Sequence, residues 1–327
     1  MNSKIKRIAV FTSGGDSPGM NAAIRAVTRT AIYHDLHVYG VIGGYEGMIN
    51  GNISRLEKKD VANIMQRGGT ILKTARSKEF MEYEGRKKAY ETLMAHDIDG
   101  CIAIGGNGTY TGAMKFGEEF NMPMIGLPGT IDNDIFGTDY TIGFDTAVNT
   151  AIEAVDKIRD TADSHDRLFF IEVMGRHSGY IALHTGIGSG AGNVFLPETD
   201  TDIDAFTHNL QRSARRQKLF NLVIVAEGNK SGDAVQLANR VRELAPEFDT
   251  KVTIIGHLQR GGSPSCFDRV LASRLGYHAV ESLLSGKAGI ALGVINDKIH
   301  HTSFEEAITK SKPLNTDLLK IVEILAL

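Results

Sequence analysis

Along the chain, short uninterrupted apolar runs alternate with longer stretches whose apolar residues recur every three or four positions. An uninterrupted run suits a strand covered on both faces, and the three-four recurrence suits a helix with one buried face. Their alternation predicts parallel strands joined by crossover helices. Strands are expected at RIAVFT (7–12), CIAIGG (101–106), PMIGLP (123–128), RLFFIEVM (167–174), NLVIVAEG (221–228) and KVTIIGHL (251–258). Helices are expected at NAAIRAVTRTAIYH (21–34), DTAVNTAIEAVDKIRDTA (145–162) and DRVLASRLGYHAVESLL (268–284). The fold class is α/β, with one group of strands before about residue 140 and another after it.

Composition sharpens this picture at three points. A length of 327 residues suits two lobes, and 42% hydrophobic with 23% charged residues is the balance of a globular chain that buries a full core. A net charge of -3 argues against wholesale binding of nucleic acid or a membrane surface, although the basic stretch QRSARRQK (211–218) suits either a local anion site or a solvated helix face. Cys101 and Cys266 have no zinc-like spacing and are expected as free thiols in a reducing compartment; with no signal-like start and no long apolar run, a cytoplasmic protein is expected.

Many of the 36 glycines follow directly on predicted strands, which places them at the carboxyl edge where open α/β sheets bind ligands. Four such segments carry candidate chemistry. In TSGGDSPGMNAAIRAV (12–27) the amides of Gly14 and Gly15 can cradle a phosphate, though the segment is neither a P-loop nor a dinucleotide fingerprint and serves equally as a tight strand-to-helix turn. In GLPGTIDNDIFGTDYTIGFDTA (126–147), Asp132 and Asp134 flank Asn133, with the Thr130 hydroxyl beside them. One carboxylate can take a proton while the other orients metal or phosphate, and the competing reading is a solvated Asx-type turn. EVMGRHSGY (172–180) puts Arg176 after a strand, where it can neutralise a transferring phosphoryl group. GHLQRGGSPS (256–265) offers His257 and Arg260 to a sugar phosphate. Gly, Arg and Asp at several strand ends, without a metal cluster or a nucleophile elbow, favour phosphate chemistry over a covalent intermediate.

These four segments, in this order, make the chain resemble the ATP-dependent 6-phosphofructokinases of the bacterial type (the phosphofructokinase A family), and the resemblance covers essentially the whole chain. It implies two Rossmann-like lobes with parallel-rich sheets flanked by helices: an ATP-binding lobe of residues 1–142 plus 258–305 and a fructose 6-phosphate-binding lobe of 143–257 plus 306–327. It implies transfer of the γ-phosphoryl of Mg-ATP to the 1-hydroxyl of fructose 6-phosphate, a step of glycolysis, by a homotetramer. Carried onto this sequence, Asp132 is the base with Thr130, Asp134 and Arg176 around it. Gly15, Tyr45, Arg76, Ser77, Gly106, Asn107, Gly108 and Thr109 lie around ATP. Thr130, Ile131, Met174, Gly175, Glu227, His257 and Arg260 lie around the sugar, whose 6-phosphate is also gripped by basic residues reaching across a subunit interface, Arg167 and Lys251. Mg2+ is expected on Asp132 and Asp134 with Asn107 nearby. An ADP or phosphoenolpyruvate effector site is implied at Arg25, Arg29, Lys58, Arg159, Gly190, Arg216 and Lys218.

The chain also departs from the family pattern. Asn107 stands where Asp is usual, Lys251 and Lys58 where Arg is usual, and Gly192 where Glu is usual. Pyrophosphate-using relatives carry Asp and Lys at the positions of Gly108 and Gly129, so the two glycines point to ATP. The competing readings are a catalytically weak regulatory paralogue and a pyrophosphate-dependent enzyme.

Overall fold

The computed structural model describes residues 5–164, 167–214 and 222–325. In chain order the strands are β1 (Arg7–Thr12), β2 (His37–Val41), β3 (Ile53–Leu56), β4 (Gly100–Gly105), β5 (Met124–Pro128), β6 (Leu168–Val173), β7 (Asn193–Phe195), β8 (Leu222–Ala226), β9 (Thr250–Ile254), β10 (Ile290–Ile295) and β11 (Lys298–Ser303). The helices are α1 (Met20–Tyr33), α2 (Gly44–Ile49), α3 (Tyr83–Ala95), α4 (Asn107–Phe120), α5 (Phe144–Asp163), α6 (Tyr180–Ser189), α7 (Ile203–Ala214), α8 (Ala234–Leu244), α9 (Cys266–Leu284), α10 (Phe304–Thr309) and α11 (Asp317–Leu325).

The chain divides into two compact units. The first comprises Met1–Ile131, Ile135–Thr146 and Arg260–Lys312; the second comprises Asp132–Asp134, Ala147–Gln259 and Pro313–Leu327. In the first, a seven-stranded sheet runs β11-β10-β5-β4-β1-β2-β3, with antiparallel edge strands β11 and β3 around a parallel centre. Period-two alternation sorts its side chains. Ile8 and Val10 of β1 and Ile102 and Ile104 of β4 join the core under α1 and α9, whereas Ala9, Phe11, Cys101 and Ala103 join the core on the face that carries α4. The second unit holds a parallel sheet, β7-β8-β6-β9, whose Leu168, Phe170, Val223 and Val225 pack on α7 and α8.

All six expected strands are present, and five are missing from the sequence reading for physical reasons that differ. The edge strands β3, ISRL, and β11, KIHHTS, are short or polar because they have only one neighbour. β7 has three residues, and β2 starts on an exposed His37. β10 has the apolar signature but is interrupted by Gly293, where a Cβ would lie 2.2 Å from the Gly137 carbonyl oxygen. The run at 251–258 is a strand only to Ile254; Gly256, at φ 55°, turns the chain into a 3-10 helix over Gly256–Arg260. Both cysteines are free, Cys101 buried and Cys266 exposed. Among the described residues no helix is long and apolar enough to cross a membrane.

Candidate functional site

In the first unit the strand order reverses direction between β1 and β4, the position where open α/β sheets leave a crevice at the carboxyl ends. The loop after β1 and the start of α4 are knitted together there. Ser13 N donates to Ile104 O at 3.0 Å, and Thr109 Oγ1 donates to Ser13 O at 3.2 Å. A Cβ on Gly105 would lie 2.5 Å from Ser13 O, so this approach needs glycine. The segment IGGNGTY (104–110) is a strand end followed at once by a helix start. β4 ends at Gly105, Gly106 is the N-cap, and Asn107 opens α4. The first turn of α4 carries no acidic side chain, which leaves the positive end of the helix available to an anion. Gly108 is exposed, and a Cβ there would meet nothing within 4 Å. Gly129 is the reverse: its Cβ would lie 2.9 Å from Ile104 Cγ2 and 3.0 Å from Met20 Cε.

The other residues expected around the nucleotide occupy distinct places in this unit. Tyr45 is in the core, between Phe11 at 4.9 Å and Phe80 at 3.9 Å between ring centroids, and burial raises its phenol well above the usual range. Its hydroxyl donates to Thr109 O at 2.6 Å, so it fixes the first turn of α4. Arg76 is exposed, and Ser77 Oγ accepts from Phe80 N at 3.1 Å. The 3-10 turn Glu79–Met81 that follows is anchored by Arg86. The Arg86 guanidinium donates to Phe80 O and Met81 O and forms a two-bond fork with Glu119, at 2.6 and 2.7 Å. Arg260, expected near the sugar, reaches back to the loop after β1, donating to Asp16 O at 3.1 Å; a Cβ on Gly15 would be 2.6 Å from its Nη1. Thr130 O accepts from Thr141 Oγ1 at 2.6 Å, and Ile131 is fully buried.

In the second unit the Asp132–Asp134 turn has Asn133 at φ 53°, as an Asx-type turn allows, but Asp132 is not solvated. Its side chain is 7% exposed, with Oδ2 3.8 Å from Arg176 Nε. Asp134 is half-buried. Arg176 follows Gly175, at φ 144°, and itself sits in the left-handed region at φ 54°, a conformation that costs a side chain roughly 1–2 kcal/mol. The surroundings enforce it. Arg176 N donates to Glu227 Oε1 at 2.7 Å, and Ser178 N donates to Gly175 O at 2.9 Å. A Cβ on Gly228 would lie 1.7 Å from Arg176 O, so only glycine leaves room for the turn. Ser178 Oγ donates to Asp132 O at 2.9 Å, tying this turn to the carboxylate segment. The end of β6 is held as well, Met174 N donating to Gln259 Oε1 at 2.8 Å. His257 is exposed on the 3-10 helix. Arg167 and Lys251 share one acid: Asp249 accepts from Arg167 Nε at 2.9 Å and pairs with Lys251 Nζ at 2.6 Å. Lys251 first and Arg167 second hold the Asp249 carboxyl below the usual carboxylate range.

Residues 7–283 match the family model for phosphofructokinase. The chain is 53% identical over 319 residues to the ATP-dependent 6-phosphofructokinase of Cytophaga hutchinsonii, covering 98% of this chain and 97% of that one. It is 54% identical over 323 residues to ATP-dependent 6-phosphofructokinase 1 of Thermus thermophilus, covering 99% and 100%. The chain belongs to the phosphofructokinase family. The phosphofructokinase structure from Saccharomyces cerevisiae superposes on it with a TM-score of 0.89 at 38% identity over 98% of this chain, which spans 48% of that longer chain.

For a phosphofructokinase, the effector residues implied by the sequence distribute as follows. Arg25 and Arg29 lie one turn apart on α1; partial burial, then the charge of Arg29, lowers the Arg25 guanidinium. Lys58 is exposed just beyond β3. Arg159 donates to Ser189 O at the end of α6, where Gly190 turns the chain at φ 61°. Arg216 and Lys218 lie outside the described residues.

The sequence reading did not single out Ser178, Gln259, Gly228, Arg86 or Asp268. The last is fully buried on α9 and accepts from Gly143 N and Thr146 N, both at 2.8 Å, at the start of α5; burial raises its carboxyl, and these bonds oppose the rise. Nothing in local pattern marks these residues, because each has a partner far away in sequence.

Proposed function

We propose that this phosphofructokinase transfers the γ-phosphoryl group of ATP to the 1-hydroxyl of fructose 6-phosphate, giving fructose 1,6-bisphosphate and ADP. The observation that carries this reading is the buried Asp132 carboxylate facing an arginine whose backbone is forced into a strained turn. Asp132 takes the proton of the sugar hydroxyl as its oxygen attacks the γ-phosphorus and the bond to the β-phosphate bridge oxygen breaks. Arg176 meets the charge that spreads over the transferring oxygens. The preset turn fixes the Arg176 backbone from which the guanidinium reaches Asp132. Around ATP, the first turn of α4 and the loop of Gly14 and Gly15 receive phosphates; around the sugar, Met174, Glu227 and His257 are the binding groups, while Arg167 and Lys251, at the opposite, amino-terminal ends of β6 and β9, serve the 6-phosphate held by a neighbouring subunit. Arg260, being lodged against the Gly15 loop, also positions that loop.

Among the described residues no three His, Cys, Asp or Glu side chains are grouped to hold a metal. Mg2+ takes one or two carboxylates and completes its shell with water and substrate phosphate. The hard-oxygen donors that would hold it are Asp132 and Asp134. When bound, the ion supplies charge neutralisation at the phosphates. Asn107 retains an oxygen but no charge, so Asn107→Asp is expected to lower the magnesium concentration for half-maximal rate several-fold. Nucleotide binding titrated with and without magnesium should shift in parallel, and unchanged values would show that the amide is neutral in this respect.

Gly108 supports ATP as donor, because its surroundings leave the helix start open, and Gly129 lies where a lysine side chain meets Ile104 and Met20. A coupled assay for fructose 1,6-bisphosphate, run with ATP and with pyrophosphate over a magnesium series, tests the reading. Turnover with pyrophosphate alone would reassign the donor. No turnover with either would favour a regulatory paralogue, a reading that the intact Asp132 and Arg176 pair opposes. A cytoplasmic homotetramer responding to ADP or phosphoenolpyruvate belongs to the same proposal, supported by the cations Arg25, Arg29, Lys58 and Arg159.

A further inference from the structure

Gln259 is fully buried, with 0% of its surface exposed, between the exposed Leu258 and the partly buried Arg260. It is the last residue of the second unit before the chain leaves it, and Ala147 is the first residue where α5 enters that unit. The two ends of the Gln259 amide do different work. Oε1 accepts from Met174 N at 2.8 Å, and Nε2 donates to Ala147 O at 3.3 Å. Neither bond belongs to a helix ladder or a sheet ladder, and the residues it joins are 85 and 112 positions away.

Met174 is the residue from which the chain turns off β6 into Gly175 and Arg176. The right-hand side of that turn is held by Glu227 on Arg176 N and by Ser178 on Asp132 O. Its approach from β6 is held by Gln259. We infer that Gln259 is a positioning residue for the phosphoryl-transfer step: its amide sets the end of β6 against α5 and so sets where the Arg176 guanidinium stands relative to Asp132. The chemistry requires an amide here. A donor and an acceptor must leave one planar group in opposite senses, within a site too buried for water to replace either. A carboxylate satisfies Met174 N but leaves the Ala147 carbonyl facing a second acceptor. A protonated carboxyl group satisfies both.

This inference rests on the phosphotransfer reading, and the experiment separates the two. Wild-type, Gln259→Met and Gln259→Glu proteins are compared in the full chain for kcat and for KM of each substrate between about pH 6 and 9. Hydrogen exchange is followed over residues 173–179. Gln259→Met, close in volume, is expected to lower kcat by about 10- to 100-fold, the effect of a displacement of about 1 Å at a reacting group, while KM for ATP stays within about threefold. Exchange over 173–179 should quicken. Gln259→Glu is expected to approach wild-type kcat at the acid end and to lose it as pH rises and the buried carboxyl ionises, a profile absent from wild type. If Gln259→Met does not fold, the pH profile of Gln259→Glu decides. Turnover by wild type with kcat unchanged in a folded Gln259→Met, or a wild-type-like pH profile in Gln259→Glu, overturns the inference alone. No turnover by wild type overturns the reading of the site as well.

Discussion

Asp132→Asn is expected to lower kcat about 10^2- to 10^4-fold, the range that a positioned general base contributes, with KM for fructose 6-phosphate changed by less than about tenfold. Asparagine keeps the size and planarity of the side chain, and the backbone bond from Ser178 Oγ to Asp132 O does not depend on the side chain at all. The fold should therefore be unaltered and the loss confined to the chemical step. Steady-state rates at saturating ATP and sugar phosphate, beside a thermal melt, check this. A kcat within tenfold of wild type in a folded variant would remove Asp132 from the role of base. Arg176, 3.8 Å from the same carboxylate, makes a second probe: Arg176→Met should also act mainly on kcat, since its strained backbone is held by Glu227 and Gly228 rather than by its guanidinium.

The second large effect concerns stability. Arg86 has a side chain only 7% exposed, with Glu119 at 28%, and it donates to Glu119 and to two main-chain carbonyls at once. The bonds to Glu119 raise the Arg86 guanidinium above its ordinary range, so the arginine stays charged. Arg86→Met leaves a partly buried carboxylate and the Phe80 and Met81 carbonyls without their donor. The expected loss is about 3 kcal/mol, the lower end for breaking a buried pair, given the access of water to Glu119. Denaturant unfolding of the full chain measures it. The double variant Arg86→Met with Glu119→Leu should regain part of that loss, because the stranded charge is gone. Equal losses in both would place the cost in the two carbonyls instead. Since the same guanidinium anchors the turn beside Arg76 and Ser77, the KM for ATP should rise in Arg86→Met as well.

Much of this molecule is legible from its residues in order. The strands of both sheet centres are visible because a strand covered on both faces must be apolar along its covered length, whatever its neighbours are; IAVF within β1 and LVIVA of β8 meet that condition alone. The glycines at strand ends mark the ligand edge for a similar reason, since close approach of two backbones excludes a Cβ, as between Gly105 and Ser13 O. Asp132, Asp134 and Arg176 are readable as candidates by residue type and place.

What the sequence could not decide is which of these residues meet, and how firmly. Asn107, to which the sequence assigns no element, opens a helix whose first turn is tied to the core by the Tyr45 hydroxyl on Thr109 O. Edge strands β3 and β11 owe their existence to a neighbour rather than to their own composition. The residues that brace the site act over long chain separations: Arg86 on Glu119 across 33 positions, Gln259 on Met174 across 85, Asp268 on Gly143 across 125. A polar side chain is a cost when buried alone and a brace when its partner arrives, and local sequence cannot say which partner that will be. The strands and the reacting groups of this protein were thus set by residue character, whereas the positions of the groups were set by buried hydrogen bonds that exist only once the chain has crossed itself.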